Sequence, residues 1–464
     1  MKLCTKSYDK IVQSFTKSSE KVGGPDERPV GRRLRVVIVG AGFGGVAAAR
    51  ALRNADVEVT VIDQRNHHTF QPLLYQVATA GLDADDVCHA TRGIFHRQSN
   101  ATAVQSRVVD VDFDRRLVIT DDGEPVPYDR LVLALGAVTN DYGVPGVEAF
   151  TFPLKSAHDA LELRSHVLRQ YEVADRTTSA VSRDAATTIV VVGGGPTGVE
   201  TAGGFIELTN QVFSRDFPTA YAAGTKVVLI EGEDRLLGAF SPKLGASAEK
   251  KLRSMGVDVK LGTQVSRVQP GQVVLSDGTT ISSNTIIWAA GVRAHPFAEH
   301  LGLETTAHGR VVVDHHLRLL DRREVFVVGD LAAPPAESDG PVPQMAPAAT
   351  QGGKHAATVI AAEVAGNRGL PSPFRYVDKG SMATIGRNSA VVEFPNGLRV
   401  RGFLGWVAWL MLHVVMLVGY RNRANVLVNW AWSYLTHDRG SRLIIEPDAP
   451  QLTQPSELRS VKVR

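Results

Sequence analysis

Apolar residues in this 464-residue chain gather in short β-branched runs, each stopped by glycine or an acid. Val36-Val37-Ile38-Val39 runs into Gly40-Ala41-Gly42-Phe43-Gly44-Gly45, and Ile189-Val190-Val191-Val192 runs into Gly193-Gly194-Gly195-Pro196-Thr197-Gly198. An Ala-rich or amphipathic segment follows each, so both read as strand, tight turn and helix. Strands are also predicted at 57–62, ending at Asp63; at 131–135, ending at Gly136; at 226–230, ending at Glu231; and at 325–328, ending at Gly329-Asp330. The run 285–292 reads as another, and residues 209–225 as an extended helix end and loop. Residues 331–347 contain five prolines and read as a loop before an alanine-rich helix over about 348–364. This order predicts an α/β fold of two Rossmann-type domains.

The glycines at the first, third and sixth positions of each fingerprint carry chemistry. They let the chain turn, let backbone N–H groups approach a pyrophosphate, and let the helix pack on its strand. The pyrophosphate then sits at the positive end of the helix. Two fingerprints imply two dinucleotides on one polypeptide, and the simplest use of two dinucleotides is to pass electrons between them. Asp63 and Glu231 stand where a carboxylate hydrogen-bonds ribose hydroxyls and repels a 2′-phosphate. Glu231 therefore favours NADH over NADPH, although Arg235 lies close enough to temper that preference.

Beyond Pro373 the pattern changes. Residues 379–386 and 390–394 read as short strands, with Asn396-Gly397 as a hairpin signal. Residues 402–420 then contain no formally charged side chain. As one helix they would be about 28 Å long, close to the hydrocarbon thickness of a bilayer. A second segment, 426–435, carries Trp430, Trp432 and Tyr434, and six arginines (399, 401, 421, 423, 439 and 442) flank the two. Three placements are open: a buried helix, a single span, or a helix lying in the interface with Trp and Tyr at headgroup depth and its arginines on anionic lipids. Arginines at both ends give no positive-inside asymmetry, which favours the interfacial placement.

A hydrophobic content of 44% with 51 basic and 48 acidic residues describes a globular protein and not a nucleic-acid-coating one. The two cysteines, Cys4 and Cys88, form no Cys-x-x-Cys, which argues against disulfide reductases and sulfide-oxidising enzymes on this scaffold. Residues 1–33 lack the apolar core of a secretory signal and read as a mobile leader.

The late Gly329-Asp330 resembles the second flavin motif of two-dinucleotide flavoproteins, whose aspartate holds the ribityl chain of FAD. That layout assigns FAD to Gly40, Ala41, Gly42, Phe43, Gly44, Gly45, Asp63 and Asp330, and NADH to Gly193, Gly195, Thr197, Gly198 and Glu231. It divides the chain into an FAD domain (34–150 and 284–375), an inserted NADH domain (151–283) and a C-terminal region (376–464).

From about residue 34 to 445 the chain resembles the type II NADH:quinone oxidoreductases, and in particular their bacterial branch. The distinctive pieces are Phe70-Gln71-Pro72-Leu73-Leu74-Tyr75-Gln76-Val77-Ala78, Ile287-Trp288-Ala289-Ala290-Gly291-Val292, the stretch 378–387, Arg421-Asn422-Arg423 and Asn429-Trp430-Ala431-Trp432. The resemblance implies hydride transfer from NADH to FAD and two electrons onward to a quinone, menaquinone or ubiquinone, without proton pumping. It also implies a homodimer, peripheral on the cytoplasmic face of the inner membrane, with no metal and no nucleic acid. It adds Val108, Gly136, Ala346, Gln351 and Lys379 to the FAD side and Gly291 to the NADH side.

Three catalytic positions follow from it. Glu200, in the first turn after the second fingerprint, matches a glutamate implicated in proton handling or quinone reduction. Lys379 matches a lysine thought to approach flavin and quinone. Gln351 matches the second glutamine of an Ala-Gln-x-Ala-x-Gln quinone motif. Here the segment reads Ala346-Pro347-Ala348-Ala349-Thr350-Gln351, so Pro347 replaces the first glutamine, and Gln344 is a candidate to reach in instead. A soluble NAD(P)H-dependent ferredoxin reductase would lack the apolar run, and a flavin-binding sensor would not turn over NADH with quinone.

Overall fold

The computed structural model describes residues 32–335, 340–367, 369–417, 420–436 and 439–445. The expected leader lies outside these apart from residues 32 and 33.

The first sheet holds five parallel strands in the order Val325–Val327, Arg130–Leu133, Leu34–Val39, Val57–Asp63 and Ala101–Gln105. Its central strand is apolar on both faces because both are covered, by a helix and by the small antiparallel sheet Val108–Asp112, Leu117–Thr120 and Pro125–Pro127, and Val36 through Val39 are all buried. The glycine turn leads into α1 (Phe43–Ala51), and a five-residue helix, α2 (Leu74–Ala78), presents Leu74, Tyr75 and Val77 to the core. The second sheet is also parallel, in the order Val257–Lys260, Lys226–Ile230, Thr188–Val192 and Thr285–Trp288. Its fingerprint opens α3 (Pro196–Leu208). The long gap before Glu231 is filled by a π-helical stretch, Thr209–Phe213, and two short helices, Ser214–Asp216 and Pro218–Ala222.

One boundary needs correction. The run beginning at Thr285 was expected to re-enter the FAD part, but Thr285–Trp288 pairs with residues 189–192 and closes the second sheet. Trp288 shows why a local reading misses this: its apolar run is equally suited to either sheet, and only pairing across about a hundred residues decides. The return follows Gly291, where Val292–Ala294 pairs with Ala137–Thr139.

The predicted alanine-rich helix is α4 (Ala346–Val364), with Pro347 in its first turn, where a missing N–H costs nothing. It lies against α1 closely enough that a Cβ on Gly353 would sit 2.1 Å from the Gly44 carbonyl oxygen. The C-terminal region begins with an antiparallel sheet, Ser381–Thr384, Ala390–Glu393 and Arg399–Gly402. Two helices follow, α5 (Phe403–Met416) and α6 (Tyr420–Thr436).

The expected single 19-residue helix is therefore not formed. At 14 residues α5 is about 21 Å long, and no helix among the described residues is long and apolar enough to cross a membrane. Arg423 ends it, donating from Nε to the Leu417 carbonyl and from Nη2 to that of Val415. The inner face packs on the C-terminal sheet, where Gly405 approaches Ala390 and Trp409 is buried. The outer face does not pack: Phe403, Leu404, Met411 and Val415 on α5, and Leu427, Val428, Trp432 and Leu435 on α6, are all exposed.

Candidate functional site: two dinucleotide cradles and a buried glutamate

Each fingerprint closes a turn that only glycine permits. Gly40 and Gly193 have φ of +106° and +109°, and a Cβ on either would fall within 2.5 Å of a carbonyl oxygen, that of Ala134 or Ala289. The sixth-position glycines are just as constrained, because a Cβ on Gly45 or Gly198 would lie 1.8 or 1.7 Å from the Gly40 or Gly193 carbonyl oxygen. The third positions differ. Around Gly42 and Gly195, the N-caps of α1 and α3, a Cβ would meet no protein atom within 4 Å. Glycine there leaves open space at a helix N-terminus, which is the space a pyrophosphate fills.

The two acids repeat one arrangement. Asp63 accepts the Ala41 N–H at 2.7 Å and the Arg65 N–H at 2.8 Å; Glu231 accepts the N–H groups of Gly194 and Glu233. Both carboxylates thus stand at the lip of their glycine turn with lone pairs left for a ribose. Arg235 turns away and donates to the Gly238 carbonyl at 2.7 Å, which weakens its claim on a 2′-phosphate. Thr197 lies exposed in the first turn of α3. Gly291, at φ +148°, sits on the crossover between the sheets, where a Cβ would strike the Tyr142 hydroxyl at 2.5 Å.

On the first side, Phe43 packs edge-on against His68, whose Nδ1 lies 2.8 Å from the Ala41 carbonyl. Gly136, at φ +70°, also has open space where a Cβ would be, and Val108 begins a strand at the edge of this domain's core. Asp330 follows the strand Val325–Val327. Burial pushes its carboxyl up, against the pull of the Lys155 and Arg310 cations. A carboxyl held in such a pocket fits the hydroxyls of a ribityl chain. Gln344 donates from Nε2 to the Asp330 carbonyl at 2.8 Å and is not among the residues lining the cavity described below. Ala346 is the first residue of α4. Gln351 spends its side-chain amide on the backbone of Val377, donating to its carbonyl and accepting its N–H, both at 2.9 Å.

Glu200 is 8% exposed in the interior of α3. Burial pushes its carboxyl up to about 8, and the Thr384 N–H donated to Oε1 at 3.2 Å offsets this only in part. Thr384 Oγ1 is 2.9 Å from the Tyr75 hydroxyl, which accepts from Gln76 Nε2 at 2.9 Å; Gln76 Oε1 accepts the Trp430 indole N–H at 2.7 Å. Burial and the Glu200 carboxylate hold the Tyr75 phenol well above its ordinary value. Thr384, Tyr75 and Gln76, together with Trp406, Trp409 and Trp430, line a narrow cavity of about 90 Å³ under α5 and α6. Lys379 is exposed just before the strand Ser381–Thr384, outside this lining.

Four residues of this site went unnoticed in the sequence. Tyr75 and Thr384 lay inside motifs that carried the family resemblance, but nothing marked them individually. Lys155 and His68 gave no local signal, since their partners are distant in the chain. The tail also corrects an expectation. Of its six arginines, Arg399 pairs with Glu393, Arg423 caps α5, Arg439 pairs with Glu207 and Arg442 with Asp216. Trp430 likewise points inward. Four of the six cations and one tryptophan expected at lipid headgroups are engaged within the protein; the side chains of Arg421 and Tyr434 lie outside the described residues.

Two glycine turns, each with an acid from the next strand bonded to its backbone, and a half-buried Gly-Asp after a third strand define a two-dinucleotide, flavin-dependent oxidoreductase. The sequence matches the family described as pyridine nucleotide-disulphide oxidoreductase over residues 34–353 and the NDH2 C-terminal domain over 379–437. It is 40% identical over 429 residues to type II NADH:quinone oxidoreductase NdhA of Mycobacterium tuberculosis, covering 89% of this chain and 90% of that one. It is 36% identical over 449 residues to Ndh of the same organism, covering 94% and 96%. Its fold is similar to NDH2 from Plasmodium falciparum solved with NADH, at a TM-score of 0.80 and 20% identity over 89% of this chain and 100% of that one. The chain belongs to the type II NADH:quinone oxidoreductases. It is a non-proton-pumping flavoenzyme that uses FAD and passes electrons from NADH to a quinone.

Proposed function

We propose that Glu200 is the proton-holding group on the quinone side of this reaction, and that the cavity behind α5 and α6 is where the acceptor meets it. Bound in the first cradle, FAD supplies a ring that takes up hydride and gives up electrons singly or in pairs. The protein's own residues do the rest. Gly42 and the N-terminus of α1 hold one pyrophosphate, Gly195 and the N-terminus of α3 the other, and Asp63 and Glu231 fix the riboses. Val108, Gly136, Asp330, Ala346, Gln351 and Lys379 complete the flavin side, and Thr197 and Gly291 the nicotinamide side. Gln351 acts chiefly by bracing the segment that leads to Lys379.

A quinone that gains two electrons must collect two protons. With its carboxyl pushed up to about 8 by burial, Glu200 carries a proton at neutral pH. One observation carries this reading: α3 begins at the nicotinamide cradle and, within its second turn, brings a buried carboxyl to Thr384, a wall of the tryptophan-lined cavity. Glu200→Gln tests it. Flavin reduction by NADH is expected to stay near the wild-type rate while reoxidation by a short-chain quinone slows by about 10²-fold. Equal quinone rates in both proteins would remove Glu200 from the reaction.

The unpacked faces of α5 and α6 support peripheral attachment to the cytoplasmic face of the inner membrane, mostly by apolar insertion, because so many of the flanking cations are used internally. A homodimer, as in the family resemblance, completes the proposal, and its mass in detergent is the direct check.

A further inference from the structure

Arg439 follows α6 and is 7% exposed. Its Nη1 donates to the Thr79 carbonyl at 2.6 Å and to the Gly204 carbonyl at 3.2 Å, and Nη2 donates to Glu207 Oε2 at 3.1 Å. The other Glu207 oxygen accepts the Arg387 backbone N–H. One buried fork therefore joins four segments: the tail after α6, the turn after α2, the last turn of α3, and the hairpin after Ser381–Thr384. Room has been cleared for it. A Cβ on Gly204 would come 2.9 Å from Thr79 Cγ2, and one on Gly386 would come 2.5 Å from Glu207 Oε1.

Stability alone does not account for this pair. Desolvating two charges consumes most of what their attraction returns, and an apolar pair of similar volume often serves as well. What a guanidinium fork adds is direction, because its donors satisfy several acceptors only in one orientation. The joined segments are the ones that line the cavity in front of Thr384. A second tie acts on the same helix: Trp430 on α6 donates to Gln76, Gln76 donates to Tyr75, Tyr75 meets Thr384, and Thr384 donates to Glu200. The indole N–H can only donate, so it fixes which way the Gln76 amide faces. Both ties end on α3, one running from the tail after α6 to Glu207 and one from Trp430 on α6 to Glu200.

We infer that Arg439 and Glu207 are a positioning pair for the acceptor half of the reaction. They hold α5 and α6 in register over the cavity, so that a quinone ring is presented to Glu200, while the nicotinamide end of α3 does not depend on them. The inference rests on the placement of the acceptor beside Glu200 proposed above.

Arg439→Met keeps the stem and removes the fork. In the flavin-loaded, membrane-bound enzyme it is expected to raise the quinone KM about tenfold, the scale of one lost positioning contact, while the rate of flavin reduction by NADH stays unchanged. Arg439→Lys, which keeps the charge but not the fork, is expected to fall between the two. An unchanged quinone KM, or an equal loss in both half-reactions, overturns the inference. If Arg439→Met fails to retain flavin, the double variant Glu207→Met/Arg439→Met removes the buried unpaired carboxylate as well. A raised KM there supports the pair, and a wild-type KM overturns it. Glu200→Gln run in parallel separates the two failures. Full quinone turnover in Glu200→Gln rejects the acceptor placement, whereas slow turnover there with a normal KM in Arg439→Met rejects the positioning pair alone.

Discussion

Replacing Glu200 with glutamine should make this enzyme more stable, and the gain should grow with pH. The folded carboxyl sits at about 8, whereas the ordinary value is 4.5. Between those two values the folded chain binds more protons than the unfolded chain, so stability falls as pH rises through that window. Linkage gives a cost of roughly 1 kcal/mol at pH 5 and about 4 kcal/mol at pH 8. Glutamine removes the titration yet keeps a carbonyl for the Thr384 N–H, so most of that cost should disappear. The assay is thermal release of FAD fluorescence from the intact enzyme at pH 5, 6.5 and 8, at one scan rate. The variant should melt within a degree or two of wild type at pH 5 and several degrees above it at pH 8. A pH-independent difference, or a variant less stable at pH 8, would show that Glu200 is not held protonated by burial. A gain in stability together with a loss of quinone turnover is what a strained functional carboxyl produces.

The fingerprints offer a paired test. Gly45→Ala is expected to prevent folding, since its Cβ has no room beside the Gly40 carbonyl, whereas Gly42→Ala should fold and bind FAD weakly; flavin-to-protein ratio and the melting of the apoprotein separate the two. Glu231→Ser should raise kcat/KM for NADPH relative to NADH by about tenfold or more, and an unchanged ratio would mean the acid does not set the preference. Because Glu231 also holds the Gly194 and Glu233 N–H groups, this variant should lose about 1–3 kcal/mol of stability. Leu404→Asp/Met411→Asp should release the protein from vesicles while flavin reduction by NADH persists. Wild-type binding should survive high salt, and its loss there would restore the cationic account of the tail.

A glycine turn between a β-branched run and a helix depends on a few adjacent residues, so both tight turns and the strand ends at Asp63, Glu231 and Asp330 are legible in the sequence. What was hidden depended on distance. Thr285–Trp288 reads the same whichever sheet it joins. The burial of Arg439 requires Glu207, 232 positions earlier. Lys155 comes close enough for its charge to act on Asp330 only once both halves of the chain are folded. The apolar run 402–420 misled because uninterrupted hydrophobicity reads as one long helix, whereas Arg423 caps it from beyond its end. A formal count of arginines carried no information about which ones already have partners.

Electron flow from NADH to a quinone in two separable half-reactions can be watched by anaerobic double-mixing of the flavin-loaded enzyme: NADH first, then a short-chain quinone, following flavin absorbance throughout. Rapid bleaching by NADH is expected, then full recovery of colour on adding quinone, with one quinol formed per NADH consumed. Flavin that bleaches with NADH and stays bleached in the presence of quinone would contradict that electron flow.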